Sequence, residues 1–125
     1  MTILRTDEAP APIGPYSQGV AAGGWIWTAG QLGIEPQSGA LADGFAAQAR
    51  QAIANVRAIL AAGGATLADV VKVTVYVRDL SNFSVFNEVF EQLFAPPWPA
   101  REVIQAARLP RDAELEVSAI AYRPL

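Results

Sequence analysis

The chain has 125 residues, 52% of them hydrophobic and only 17% charged, with a formal net charge of −3 and neither histidine nor cysteine. Without imidazole or thiol there can be no Ser-His-Asp or Cys-His nucleophile system and no zinc site built on those ligands, so any chemistry falls to arginine, carboxylate, phenol and backbone groups. The acidic balance and scattered basic residues argue against a nucleic-acid face, and no apolar run is long enough to span a bilayer.

The length predicts one domain over residues 1–125. So much apolar surface exceeds what a small monomer easily hides, which points to burial between subunits, as in homo-oligomers. Alanine is the plainer source of the excess, since it adds little area per residue. No basic-then-apolar signal opens the sequence, and the lack of cysteine fits a reducing compartment, so the cytoplasm is the expected location.

Residues Ala9 to Pro15 read as an extended proline-rich arm. Tyr16–Ala22 and Trp25–Ala29 read as a hairpin across the Gly23-Gly24 turn. Gly30-Gln31 closes it at a bulge or a point of close backbone approach. Asp43 is placed to cap a helix whose apolar stripe is Phe45, Ala49, Ile53, Val56 and Leu60, with Gln48, Gln51, Asn55 and Arg57 off that stripe. Gly63-Gly64 ends the helix.

From Val70 to Arg78 the pattern alternates, with Val71, Val73, Val75 and Val77 on one face and Lys72, Thr74, Tyr76 and Arg78 on the other. Ser81 is the expected cap of a second helix, with Leu80 and Val85 as its hydrophobic staple and Phe83, Phe86, Phe90 and Leu93 as its buried stripe. Ala95-Pro96-Pro97 breaks it. Strands follow at 101–106 and 114–122, joined by the Leu109–Asp112 turn. This order predicts an α+β fold, a mixed sheet with both helices on one face. The other face, with Thr74, Tyr76, Ser118 and Ile120, must meet water or another subunit.

The candidate site centres on Arg101, whose guanidinium matches a carboxylate with two parallel hydrogen bonds. Glu116 lies on a strand joined to that of Arg101 by a short turn, and a nearby glutamate can position or deprotonate water. Tyr16, after the arm, is placed to reach across a subunit boundary. Together they describe a pocket for a small carboxylic acid. Spacing alone favours the plainer reading, an ion pair between Arg101 and Glu116 across neighbouring strands. Trp25 and Trp27 read as packing residues, and Trp98 either walls a pocket or packs its loop. Asn87 reads as solvent-exposed, Gly30 as a backbone requirement, and Arg108 and Arg111 as solvated turn residues.

Five blocks, in order and across nearly the whole chain, resemble the RidA (YjgF) family of reactive imine/enamine deaminases. They are Ile13–Gln18, Ala29-Gly30-Gln31, Val71–Leu80, Pro99-Ala100-Arg101, and Arg108–Asp112 with Glu114-Leu115-Glu116. The resemblance implies a chorismate-mutase-like fold and a homotrimer with pockets between subunits. It also implies hydrolysis of 2-imino acids or enamines to 2-oxo acids and ammonia, with no metal or organic cofactor. The family's carboxylate-binding arginine falls on Arg101, its water-associated glutamate on Glu116, its pocket tyrosine on Tyr16 and its pocket asparagine on Asn87. The chain departs from the pattern at Ala29, often serine, at Val103, often cysteine, and in a shortened loop carrying Trp98. These changes spare the carboxylate clamp and alter the pocket wall. The competing function is a non-catalytic trimer that binds small carboxylates or acts as a chaperone-like surface. RNA cleavage, an older label of the family, fits poorly with the net charge and the absence of histidine.

Overall fold

The computed structural model describes residues 1–124. Seven strands form one mixed sheet: β1 (Thr2–Leu4), β2 (Gly19–Ala22), β3 (Trp25–Thr28), β4 (Gln31–Leu32), β5 (Val70–Val77), β6 (Ala100–Gln105) and β7 (Leu115–Tyr122). The order is β1-β2-β3-β7-β5-β6, with β4 also on β7. Only β5 and β6 run parallel, joined through the second of two helices, α1 (Phe45–Ala62) and α2 (Phe83–Leu93).

Alternation decides which face is covered. Val73, Val75, Val77, Leu115, Val117 and Ala121 point to one side and bury against Ile53, Val56 and Leu60 of α1 and Phe86, Val89 and Phe90 of α2. The opposite face carries no helix. On it Trp25, Trp27, Tyr76, Ile104 and Tyr122 are each between 38% and 46% exposed, in two groups, Trp25, Trp27 and Tyr122 at one end and Tyr76 with Ile104 at the other, separated by Lys72, Thr74, Ser118 and Glu116. Trp25 and Trp27, read as packing residues, therefore pack on this open side, where Trp25 lies 4.7 Å from the Tyr122 ring.

Several local expectations are corrected. Val71 leaves the valine face, because the register between β5 and β7 shifts between Val70 and Lys72, burying Val70 and exposing Val71. The N-cap of α1 is Gly44 at φ 89°, and Asp43 makes no cap. Ser81 does not cap α2 either. Its backbone N–H donates to the Asp79 carboxylate at 2.9 Å in a 3-10 turn over Leu80–Asn82, a bond that lowers the Asp79 pKa, while Leu80 stays exposed instead of stapling.

Gln48 and Asn55 sit within the buried face of α1, although their polarity placed them outside it. Each satisfies backbone that no ladder reaches. Asn55 donates to the Leu32 and Ile34 carbonyls, while Gln48 donates to the Ala42 carbonyl and accepts from the Glu114 N–H. Strands β1 and β4, too short to show a pattern, were not legible.

Candidate active site

Arg101 stands on β6, an edge strand, paired with Val73, so its side chain leaves the sheet on the helix side. There α2 surrounds it with three rings: the guanidinium carbon lies 4.9 Å from the Phe90 centroid and 5.6 Å from those of Phe83 and Phe86. Asn87 Oδ1 accepts a hydrogen bond from Arg101 Nη2 at 2.6 Å. Asn87, read as solvent-exposed by its pattern, is thus half-buried on the arginine. Among the described residues no carboxylate pairs with Arg101, the four ion pairs being Lys72–Glu102, Arg78–Glu114, Arg108–Asp112 and Arg123–Asp69.

Partial burial lowers the Arg101 pKa, yet a guanidinium stays charged at any working pH. The outcome is a cation held against aromatic faces with several N–H donors unspent. Trp98 and Pro99 complete a hollow of about 340 Å³ beside it, with the Trp98 ring 6.2 Å from Phe90. Val103, two residues along the same face of β6, is half-buried against the core.

Glu116 pairs with Tyr76 on β5 and with Leu32 on β4, on the face that has no helices. Strand β5 separates it from the Arg101 strand. Two strands across and three positions along place the backbones roughly 14 Å apart, on opposite faces of the sheet. The ion pair favoured by spacing is therefore absent, because the short turn from β6 to β7 crosses over β5 and does not form a hairpin.

Half-burial of the Glu116 carboxyl raises its pKa by desolvation, and it takes part in none of the four ion pairs of the described residues. The chain opposite makes room for it. Between Trp27 and Gln31 the β3–β4 edge advances four residues while β7 advances three, from Ile120 to Val117. The extra residue is a bulge at Ala29–Gly30, where a β-carbon on Gly30 would stand 2.5 Å from Glu116 Cδ. Glycine is needed here because the carboxylate lies directly on its backbone.

This carboxylate opens into a cleft of about 620 Å³ lined by Tyr16, Ala29, Gly30 and Arg111 with apolar residues of the arm, among them Pro10 and Ile13. Tyr16 is half exposed, and its hydroxyl accepts a long hydrogen bond of 3.5 Å from the Ile13 N–H. The arm is tethered by a residue that sequence reasoning passed over. Gln18, 4% exposed, donates to the Thr6, Ala9 and Pro10 carbonyls and accepts from the Thr6 N–H. A polar side chain just after a proline arm was the available signal.

The chain thus carries two separate clusters: Arg101 with Asn87 and Trp98, and Glu116 with Tyr16, Ala29 and Gly30. No group of three or more carboxylates among the described residues is placed to hold a metal ion.

The family model for endoribonuclease L-PSP matches residues 6–123. The chain belongs to this family, also called RidA or YjgF. It is 45% identical over 123 residues to the 2-iminobutanoate/2-iminopropanoate deaminase of Salmonella typhimurium, covering 96% of each chain. Its fold superposes on the crystal structure of RidA from the Antarctic bacterium Psychrobacter sp. with a TM-score of 0.96 at 44% identity, covering 98% of this chain and 99% of the other. Escherichia coli TdcF with bound serine matches with a TM-score of 0.93 at 42% identity, over 98% and 99% of the two chains. The RidA member thus has the mixed sheet and paired helices of the α+β expectation. No helix of the described residues is long and apolar enough to cross a membrane.

Proposed function

We propose that the protein hydrolyses 2-imino acids and their enamine tautomers to 2-oxo acids and ammonia, in sites formed between the protomers of a homotrimer. The observation that carries this reading is the uncompensated guanidinium of Arg101, desolvated by aromatic rings and fixed by Asn87. A carboxylate ligand supplies the missing counter-charge and takes two donors at once. The deaminase relatives and the serine-bound TdcF support a small amino-acid-like ligand.

Arg101 clamps the substrate carboxylate, and Glu116 works on the adjacent carbon. A carboxylate held above its ordinary range by desolvation suits a base that must take up a proton and return it. Glu116 removes one proton from water as its oxygen bonds to the C=N carbon. Glu116 then passes that proton to the nitrogen of the adduct, the C–N bond breaks to release ammonia, and the carboxylate takes the hydroxyl proton as the carbonyl forms, later giving it up to solvent. A protonated imine is already electrophilic, so positioning supplies most of what is needed. Tyr16 shapes the pocket and offers a hydrogen bond to the nitrogen. Ala29, Gly30, Trp98 and Val103 form its wall, with Ala29 and Val103 contributing no hydroxyl or thiol.

Since the two half-sites leave one chain on opposite faces, each is completed by a second copy. The aromatic open face, with Trp25, Trp27 and Tyr122, gives that copy an apolar surface to bury.

Replacing Arg101 by alanine removes a charge-assisted clamp of about 1.5–3 kcal/mol, or roughly 10–150-fold in kcat/KM. The assay is ammonia release from an imine generated in situ by an amino-acid oxidase, and an unaltered rate in Arg101→Ala sinks the assignment. Calorimetric binding of 2-oxobutanoate without any turnover favours the non-catalytic binder instead.

A further inference from the structure

The cleft beside Glu116 holds a second cation whose role the reaction does not use. Arg111 is one of two consecutive non-glycine residues with positive φ, at 59° beside Asp112 at 52°. Such backbone is costly for a side-chain-bearing residue and tends to occur where the local geometry matters to a site. Here it turns Arg111 toward the cleft: its Nη1 donates to the Gly39 carbonyl at 3.0 Å, and both ends of that bond line the cavity that contains Glu116 and Tyr16. The neighbouring carboxylate, Asp112, is taken by Arg108 at 3.4 Å, and among the described residues Arg111 forms no ion pair. One of its five N–H donors is spent on Gly39, and the residue is otherwise exposed at the rim of a cleft whose lining is apolar apart from Tyr16, Gln18, Gln31 and Glu116.

In the single chain the cleft measures about 620 Å³, and the part that a second copy leaves free can take a side chain longer than two carbons. With the reacting carbon at Glu116 and the first carboxylate on Arg101 of a second copy, the substrate's own side chain must enter it. Its lining from Pro10, Ile13, Leu32 and Ile34 suits methylene groups, and Arg111 suits an anion beyond them. We infer that Arg111 is a specificity-determining residue that admits 2-imino dicarboxylic acids by pairing with the distal carboxylate. The inference rests on the deaminase reading and names its substrate class.

The test compares 2-iminoglutarate with 2-iminobutanoate, each released in situ by an amino-acid oxidase, in wild type, Arg111→Asn and Arg111→Lys. Asparagine tolerates the left-handed backbone, so this variant retains the turn. The dicarboxylate-to-monocarboxylate ratio of kcat/KM is expected to fall on the order of ten- to a hundredfold in Arg111→Asn and to recover in part in Arg111→Lys. A ratio that does not move overturns the inference, since a purely structural role lowers both rates together. Calorimetry with 2-oxoglutarate and 2-oxobutanoate separates the two levels of argument. A 2-oxoglutarate preference lost in Arg111→Asn, in a protein with no turnover, upholds Arg111 while removing the deaminase. Turnover of both imines with no dependence on Arg111 does the reverse.

Discussion

The Arg101 recess and the Glu116 cleft are built on opposite principles. The recess fixes a permanent charge against three aromatic rings with one amide, so the guanidinium has little freedom, and among the described residues it forms no ion pair, though Glu91 lines the same hollow. The cleft holds a titratable charge on a glycine bulge under a tethered arm. The first is suited to binding and the second to proton transfer. Because they lie on opposite faces of one sheet, under the proposed function the two tasks meet only when two copies associate.

The contrast predicts what breaks each half. Glu116→Gln retains the shape of the cleft and removes the base, so kcat should fall about 10²–10⁴-fold, as read by steady-state ammonia release. A carboxamide as active as the carboxylate would leave Glu116 no proton to move. The same variant should lose the acid limb of the pH–rate profile, which in wild type falls on acidification with an apparent pKa above the ordinary carboxylate range.

Co-refolding equal amounts of Arg101→Ala and Glu116→Gln tests the division of labour. If each site draws one residue from each of two protomers, random mixing restores about a quarter of the sites. A mixture no more active than its parts places both residues in the same protomer's site.

Gly30→Ala sharpens the comparison from the cleft side alone. The new methyl would sit 2.5 Å from Glu116 Cδ, displacing the carboxylate at a stability cost of about 1–3 kcal/mol. Activity should drop while calorimetric affinity for a 2-oxo acid, governed by Arg101, changes less. Equal loss of both would mean that the bulge supports the whole site and not Glu116 alone.

The smallest effect is on stability. A carboxyl whose folded pKa is raised holds its proton more tightly in the native state. Its contribution is therefore full in acid, below the unfolded value, and is lost as pH rises through the raised folded value. Glu116→Gln should raise the denaturant midpoint slightly at neutral pH, by well under about 1 kcal/mol because the group is half exposed. A lowered midpoint would show that the carboxylate makes a stabilising contact.

Much of this was legible along the chain because it is periodic. The alternation at 73–77 and 115–121 and the α1 stripe set the core face, and Arg101 and Glu116 emerged from the motifs that the family shares. Polar residues inside that face, Gln18, Gln48 and Asn55, were not legible. Their hydrogen-bond partners are backbone groups of other segments, which only the folded chain brings to them, and polarity alone sorts such residues to the surface. Asp43 and Ser81 failed as caps for a related reason: Gly44 at positive φ and the Asp79 turn satisfy the chain first.

What the residues determined unaided is which chemistry is excluded, since a chain without imidazole or thiol cannot build the nucleophile systems or zinc sites that need them. Only the tertiary structure decided how Arg101 and Glu116 are related. Proximity across a short turn depends on whether the strands pair, and here β5 enters between β6 and β7, placing the apparent neighbours Arg101 and Glu116 apart on opposite faces. Strand order follows from non-local burial of the valine faces, which no local spacing encodes.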